Sequence, residues 1–153
     1  MTIRSAYKAA GAIALAAFLC PVAFADAPPD PIETLPGYWG WDEGEVVGAS
    51  FGTCDKQPLQ IWFSEDGNRY HSRHLNAERG YTAQVVARQS SMEDGTALLI
   101  RYDEEARVDG NGDPVAWFLV MVDTDRFYWL RRDWVGHEVR TSHLVRCDMA
   151  ETD

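Results

Sequence analysis

Cysteine, basic side chains and long apolar runs are all scarce in this 153-residue chain, and each shortage excludes something. The cysteines are Cys20, Cys54 and Cys147, with no C-x-x-C among them. That leaves no four-ligand zinc pattern and no thioredoxin-type redox motif. Lys and Arg number 14 against 24 Asp and Glu, a net charge of −10. Phosphate backbones and anionic lipid surfaces bind basic patches, so nucleic acid is not an expected partner, while a basic protein would be steered towards this chain. After residue 25 the longest apolar run is 115–122, far short of the roughly 20 residues a membrane-spanning helix needs.

The one longer apolar stretch stands at the start. Arg4 and Lys8 precede an Ala- and Leu-rich segment, 9–19, and Ala23-Phe24-Ala25 gives a small-x-small cleavage pattern. Residues 1–25 therefore read as a secretory signal peptide removed near Ala25, with a periplasmic or secreted product and no membrane insertion afterwards. Bulky Phe18 and Leu19 before Cys20 do not suit a lipidation site. The expected mature chain is 128 residues, 153 less 25, enough for one domain with a real core. Loss of the two signal bases takes its charge to −12. An oxidising compartment and two remaining cysteines predict one disulfide, Cys54 to Cys147.

Four prolines within 27–36 mark residues 26–36 as an extended tether, and 37–153 as the folded domain. The domain reads as strands and turns. Residues 59–63 and 69–72 flank Asp66-Gly67, a type I′ hairpin signal; 81–88 and 97–103 flank Asp94-Gly95. Further strands are expected at 115–122, 127–130 and 139–145. Ser72 to Arg79 carries a helix signal, a Ser N-cap and a following Gly80, and reads equally as strand and loop. The fold class is all-β, a small antiparallel up-and-down barrel of about eight strands, because closure removes the exposed edges an open sheet would leave. A two-sheet sandwich is the alternative. Segment 115–122 is apolar on both faces, so it is covered on both sides or faces a ligand on one and a partner on the other.

All six tryptophans, Trp39, Trp41, Trp62, Trp117, Trp129 and Trp134, lie in the domain, as core or as a binding surface. Trp117, Trp129, Trp62 and Tyr128 are the candidate ligand-binding residues. His71 and His74 share a face only on a helix, so no metal site and no cofactor are expected. Asp109-Gly110-Asn111-Gly112-Asp113 opens like a calcium loop, but Pro114 and Val120 stand where glycine and the bidentate Glu belong. No G-x-S-x-G occurs; Ser142 with His143, and Glu104 with Glu105, are adjacent and diverge on a strand. No catalytic residues are assigned, and the chain is not expected to be an enzyme.

Leu35-Pro36-Gly37-Tyr38-Trp39 resembles the L-x-G-x-W opening of lipocalin-type barrels, the calycin group. The resemblance implies an eight-stranded barrel with one apolar cavity, whose floor Gly37 and Trp39 close with an Arg packed over the ring; Arg146 matches by placement, and Arg140 comes second. Cys54-Asp55, Pro58-Leu59 and the late Cys147 are also similar to exported inhibitors of C-type lysozyme, small barrels with a disulfide to the C-terminal strand. Bacterial inhibitors of secreted metalloproteases share that barrel. The function expected is thus non-catalytic binding: a carrier or sensor of a small apolar ligand, or alternatively an inhibitor or interaction module for a basic secreted or envelope protein. If Trp39 and Arg146 mark one end of the barrel, Cys54 must return to meet Cys147. Residues 44–53 then run back, a reversal that Gly44, Gly48 and Gly52 permit.

Overall fold

The computed structural model describes residues 29–46, 48–49, 51–93, 95–135 and 139–149. The expected signal peptide with its Ala25 cleavage point, tether residues 26–28, Asp94 and residues 136–138 lie outside these. Eight strands follow one another: β1 (Gly37–Trp41), β2 (Leu59–Phe63), β3 (Arg69–His74), β4 (Tyr81–Met92), β5 (Gly95–Tyr102), β6 (Trp117–Asp123), β7 (Arg126–Arg131) and β8 (Leu144–Arg146). Each pairs antiparallel with the next, and β1 pairs with β8 through Trp39↔Arg146, Gly40↔Val145 and Trp41↔Leu144. The result is the closed eight-stranded antiparallel barrel expected from the turn spacing.

Period-two alternation decides what fills it. Leu59 and Ile61 on β2, Tyr70 on β3, Ala83 on β4, Leu98 and Ile100 on β5, Leu119 and Met121 on β6, Phe127 on β7 and Leu144 on β8 form one buried core with Leu35 and Trp39. A second apolar cluster lies on the outer face of β5–β7: Ala97, Val120, Tyr128 and Leu130, flanked by Met92, Phe118, Val122 and Trp134. Segment 115–122 is therefore covered on both sides, with Leu119 and Val120 both fully buried.

Four local expectations are corrected. Residues 72–79 form no helix: Ser72 to His74 complete β3, where Ser72 pairs with Tyr81, and a turn follows. Cross-strand pairing outweighs the Ser cap signal there. The helix lies in the expected tether instead, as α1 (Pro31–Thr34). Asp30 caps it by accepting the Ile32 N–H at 2.9 Å, and Pro31 sits in the first turn, where proline needs no donor. The β2–β3 turn is longer than two residues, with Ser64 N–H bonded to Arg69 O and positive φ at Gly67 but not at Asp66. Residues 139–143 are not strand; β8 begins only at Leu144.

The β1–β2 connection does turn back. Gly48 and Gly52 take φ of +75° and +77°, which side-chain-bearing residues rarely adopt. Thr53 and Cys54 then cross the outer face of β1 at Gly40, so closely that a Cβ there would lie 2.3 Å from the Cys54 amide nitrogen. This places Cys54 against Cys147, and the two form a disulfide with Cα atoms 5.3 Å apart.

Candidate functional site

The two ends of the barrel differ, and the closed one is built around Trp39. Its indole N–H donates to Leu35 O at 2.8 Å, and the Arg146 guanidinium lies 4.3 Å above the ring centroid. Arg146 also donates to Thr34 O at 2.6 Å, Thr124 O at 2.8 Å and Asp125 Oδ1 at 3.0 Å. A side chain at Gly37, φ +135°, would meet Arg146 at 2.9 Å. Gly37, Trp39 and Arg146 thus seal this end, with α1 and Leu35 beside them.

From that floor a file of aromatic rings runs along the axis. Phe127 meets Trp39 at 4.8 Å, Trp129 meets Phe127 at 5.1 Å, and Trp41 meets Trp129 at 6.1 Å, all edge to face. Such pairs contribute about 0.5–1.5 kcal/mol each beyond area burial. They leave the lower barrel full.

The open end begins where this file stops. A cleft of about 120 Å³ is lined by Trp41, Gly52, Leu59, Ser72, His74, Tyr81, Tyr102, Trp129 and Leu144. Trp129 has a buried indole N–H with no hydrogen-bond partner among the described residues. Burial pushes the Tyr102 phenol up to about 12 and raises that of Tyr70 below it, so both stay protonated and uncharged. His74 is held from outside, its Nδ1 2.9 Å from Gln57 O. Tyr81 is 62% exposed and stands at the lip, edge-on to Tyr102 at 6.1 Å.

Tyr81 and Tyr102 also border a wider depression of about 750 Å³, with Arg79, Thr82, Glu104, Glu105 and Arg107. The Arg107 guanidinium grips both Glu105 oxygens at 2.7 Å and holds that carboxyl near 2, helped by the Trp117 indole N–H at 3.2 Å. Asp103 is kept low by Arg69 and by the Thr82 hydroxyl. Glu104 is exposed and, among the described residues, has no ion-pair partner. Of the four open-end connections, 42–58 and 103–116 carry Asp42, Glu43, Glu45, Asp55, Asp103, Glu104, Glu105, Asp109 and Asp113 against Lys56 and Arg107, while the described residues of 75–80 and 132–143 add Glu78 and Asp133 against Arg79, Arg132 and Arg140. Acid dominates this rim.

Of the four aromatic candidates, the structure brings Trp129 to the cleft. Trp117 faces inward at the same end but is engaged by Glu105, by Arg107 at 5.1 Å and by Trp134 at 6.0 Å. Trp62 and Tyr128 face outward. Trp62 stacks on His71 at 5.4 Å, and Tyr128 is buried between Arg140, 4.8 Å from its ring, and His143 at 5.6 Å. Alternation could have told them apart: Trp62 follows the core residue Ile61, and Tyr128 precedes Trp129, so neighbours cannot both point inward. The cleft residues not anticipated are Trp41, Ser72, His74, Tyr81 and Tyr102. Strand parity marks each as inward-facing, but which end of each strand is open required the barrel.

The remaining polar clusters have structural partners. His71 and His74 lie on opposite faces of β3 or its end, and among the described residues no group of three metal-binding side chains converges. Asp109 accepts the amides of Asn111 at 2.8 Å and Asp113 at 3.1 Å, a polar turn. His143 and Glu45 form a tie at 2.5 Å that fastens the β1–β2 connection to the segment leading into β8, and the His143 amide holds the Glu45 carboxyl low. No described helix is long and apolar enough to cross a membrane. Compared with known proteins, the chain matches no protein-family model, no curated protein and no solved structure.

Proposed function

We propose that this protein is an exported, non-catalytic binding module that engages a basic secreted or envelope protein through the open end of a lipocalin-like barrel. One observation carries the reading: among the described residues the barrel is packed from its floor upward and opens at one end into an aromatic cleft, beside a wider polar depression, inside a carboxylate-rich rim. A ligand pocket for a drug-sized molecule needs roughly 300–1,000 Å³ of mainly apolar space; the apolar cleft offers about 120 Å³, and the adjoining depression of about 750 Å³ is lined largely by polar and charged side chains. Surface docking with a small inserted group fits that space better than internal carriage. The acidic rim would speed encounter with a cationic partner and make it salt-dependent. A disulfide-pinned fold and the signal-like start support an exported product.

The test is binding and inhibition against basic secreted enzymes, a C-type lysozyme first, by calorimetry and activity assay. The reading expects a stoichiometric complex that weakens as salt rises. No complex with any basic enzyme at low salt overturns it. The carrier reading keeps one specific support, the unpartnered Trp129 N–H beside the cleft, which suits a small apolar ligand bearing one acceptor atom. Native mass spectrometry of protein from a periplasmic extract would reveal such a ligand as added mass.

A further inference from the structure

We infer that the cleft is an anchor pocket for a single aliphatic side chain, about the size of leucine, presented between basic residues of the partner protein. This rests on the open-end reading above and specifies its occupant. The cleft walls are chiefly apolar: Trp41, Leu59, Trp129, Leu144 and the faces of Tyr81 and Tyr102. No carboxylate lines it, so a cationic head inserted there would lose its hydration without an ionic partner. Its volume of about 120 Å³ is small beside drug-sized pockets and suits one short aliphatic side chain.

The charge lies around the pocket. The described residues of the four connections at this end hold eleven carboxylates against five bases, and Glu104 borders the adjoining depression with no ion-pair partner among the described residues. An apolar pit within a polar, charged rim is the arrangement in which one buried anchor supplies most of the affinity and the surround excludes water and selects sign. Basic residues on both sides of the anchor would meet carboxylates; acidic ones would be repelled. Tyr81, exposed at the lip, is placed to close over the anchor's stem.

The test uses the full mature chain and a synthetic peptide with one leucine between two Lys-Lys pairs, followed by tryptophan fluorescence, since Trp41 and Trp129 wall the cleft. Saturable change is expected. Leucine to alanine in the peptide should weaken binding about tenfold, and lysine to glutamate should abolish it. In the protein, Ser72→Leu, which fills the cleft, and Tyr81→Ala should each remove the preference for leucine over alanine. Their thermal midpoints verify folding. Glu104→Lys should weaken both peptides alike. Equal binding of leucine and alanine peptides to the native protein overturns the inference, as does retained leucine preference in folded Ser72→Leu. If a basic enzyme binds the native protein and Ser72→Leu equally well, the anchor pocket falls while the open-end reading stands. If no basic enzyme and no peptide binds, both fall.

Discussion

Gly40 lies directly beneath the backbone of Cys54: a Cβ on Gly40 would come within 2.3 Å of the Cys54 nitrogen and 2.9 Å of its sulfur. The returning connection, the disulfide and the β1–β8 closure therefore meet at one residue that has no side chain. Glycine is needed there for close approach, since its backbone φ is not positive.

Gly40→Ala should destabilise the protein by at least about 2 kcal/mol, because backbone must shift on a strand paired on both sides. Gly110→Ala is the control. Its added methyl meets nothing within 4 Å, and the change should stay within about 0.5 kcal/mol. Urea denaturation of the two variants measures the difference.

Removing the disulfide by Cys54→Ser with Cys147→Ser should cost roughly 4 kcal/mol, since the bridge spans a sequence separation of 93 residues. Equilibrium unfolding of the double variant beside the native protein gives the value. Loss of the Cys54 tether should also free Gly52 from Trp41, whose amide it bonds at 2.8 Å. A changed near-ultraviolet signal from the cleft tryptophans would report that.

Arg146→Ala should lower stability by about 3 kcal/mol, through loss of charged hydrogen bonds and of the cation over Trp39. Arg146→Lys should recover less than half. A lysine keeps the charge but cannot reach Thr34, Thr124 and Asp125 together. Thermal unfolding of both variants tests the ranking.

Acid should act through Glu105 and Asp66. Arg107 holds Glu105 at about 2, and the Ser64 hydroxyl with the Asn68 amide holds Asp66 at about 2, against ordinary values of 4.5 and 3.8. Depressed carboxylates add stability that is fully present above their unfolded values and is lost as pH falls through the folded ones. Stability should thus be flat with respect to these groups above about pH 5 and decline towards pH 2. In Arg107→Ala, the Glu105 titration followed by carbon-detected NMR should move up towards 4.5.

The strands were legible because their signals are local. Leu59 to Phe63 and Arg69 onwards flank a glycine turn; which face of each strand points inward was not legible and waits on closure of the barrel. The Ser72–Arg79 region was ambiguous because a Ser cap and a trailing glycine are equally local signals. Only the pairing of Ser72 with both Ile61 and Tyr81 settles it as strand. Residue type alone selects Trp62, Trp117, Trp129 and Tyr128 alike; strand parity turns Trp62 and Tyr128 outward and Trp129 inward.

By itself the sequence determined an all-β domain and the Cys54–Cys147 pair, because turn chemistry and cysteine count act over a few residues or need no geometry; that Arg146 rather than Arg140 packs over Trp39 was left to the tertiary structure. The tertiary structure alone decided which end of the barrel is open. That depends on Trp39, Phe127, Trp129 and Trp41 filling the axis from one side, a packing relation among strands separated by up to ninety residues in the chain. It also decided that Trp41, Tyr81 and Tyr102 share a cleft, since only closure of β1 onto β8 curls the sheet enough to bring their strands face to face.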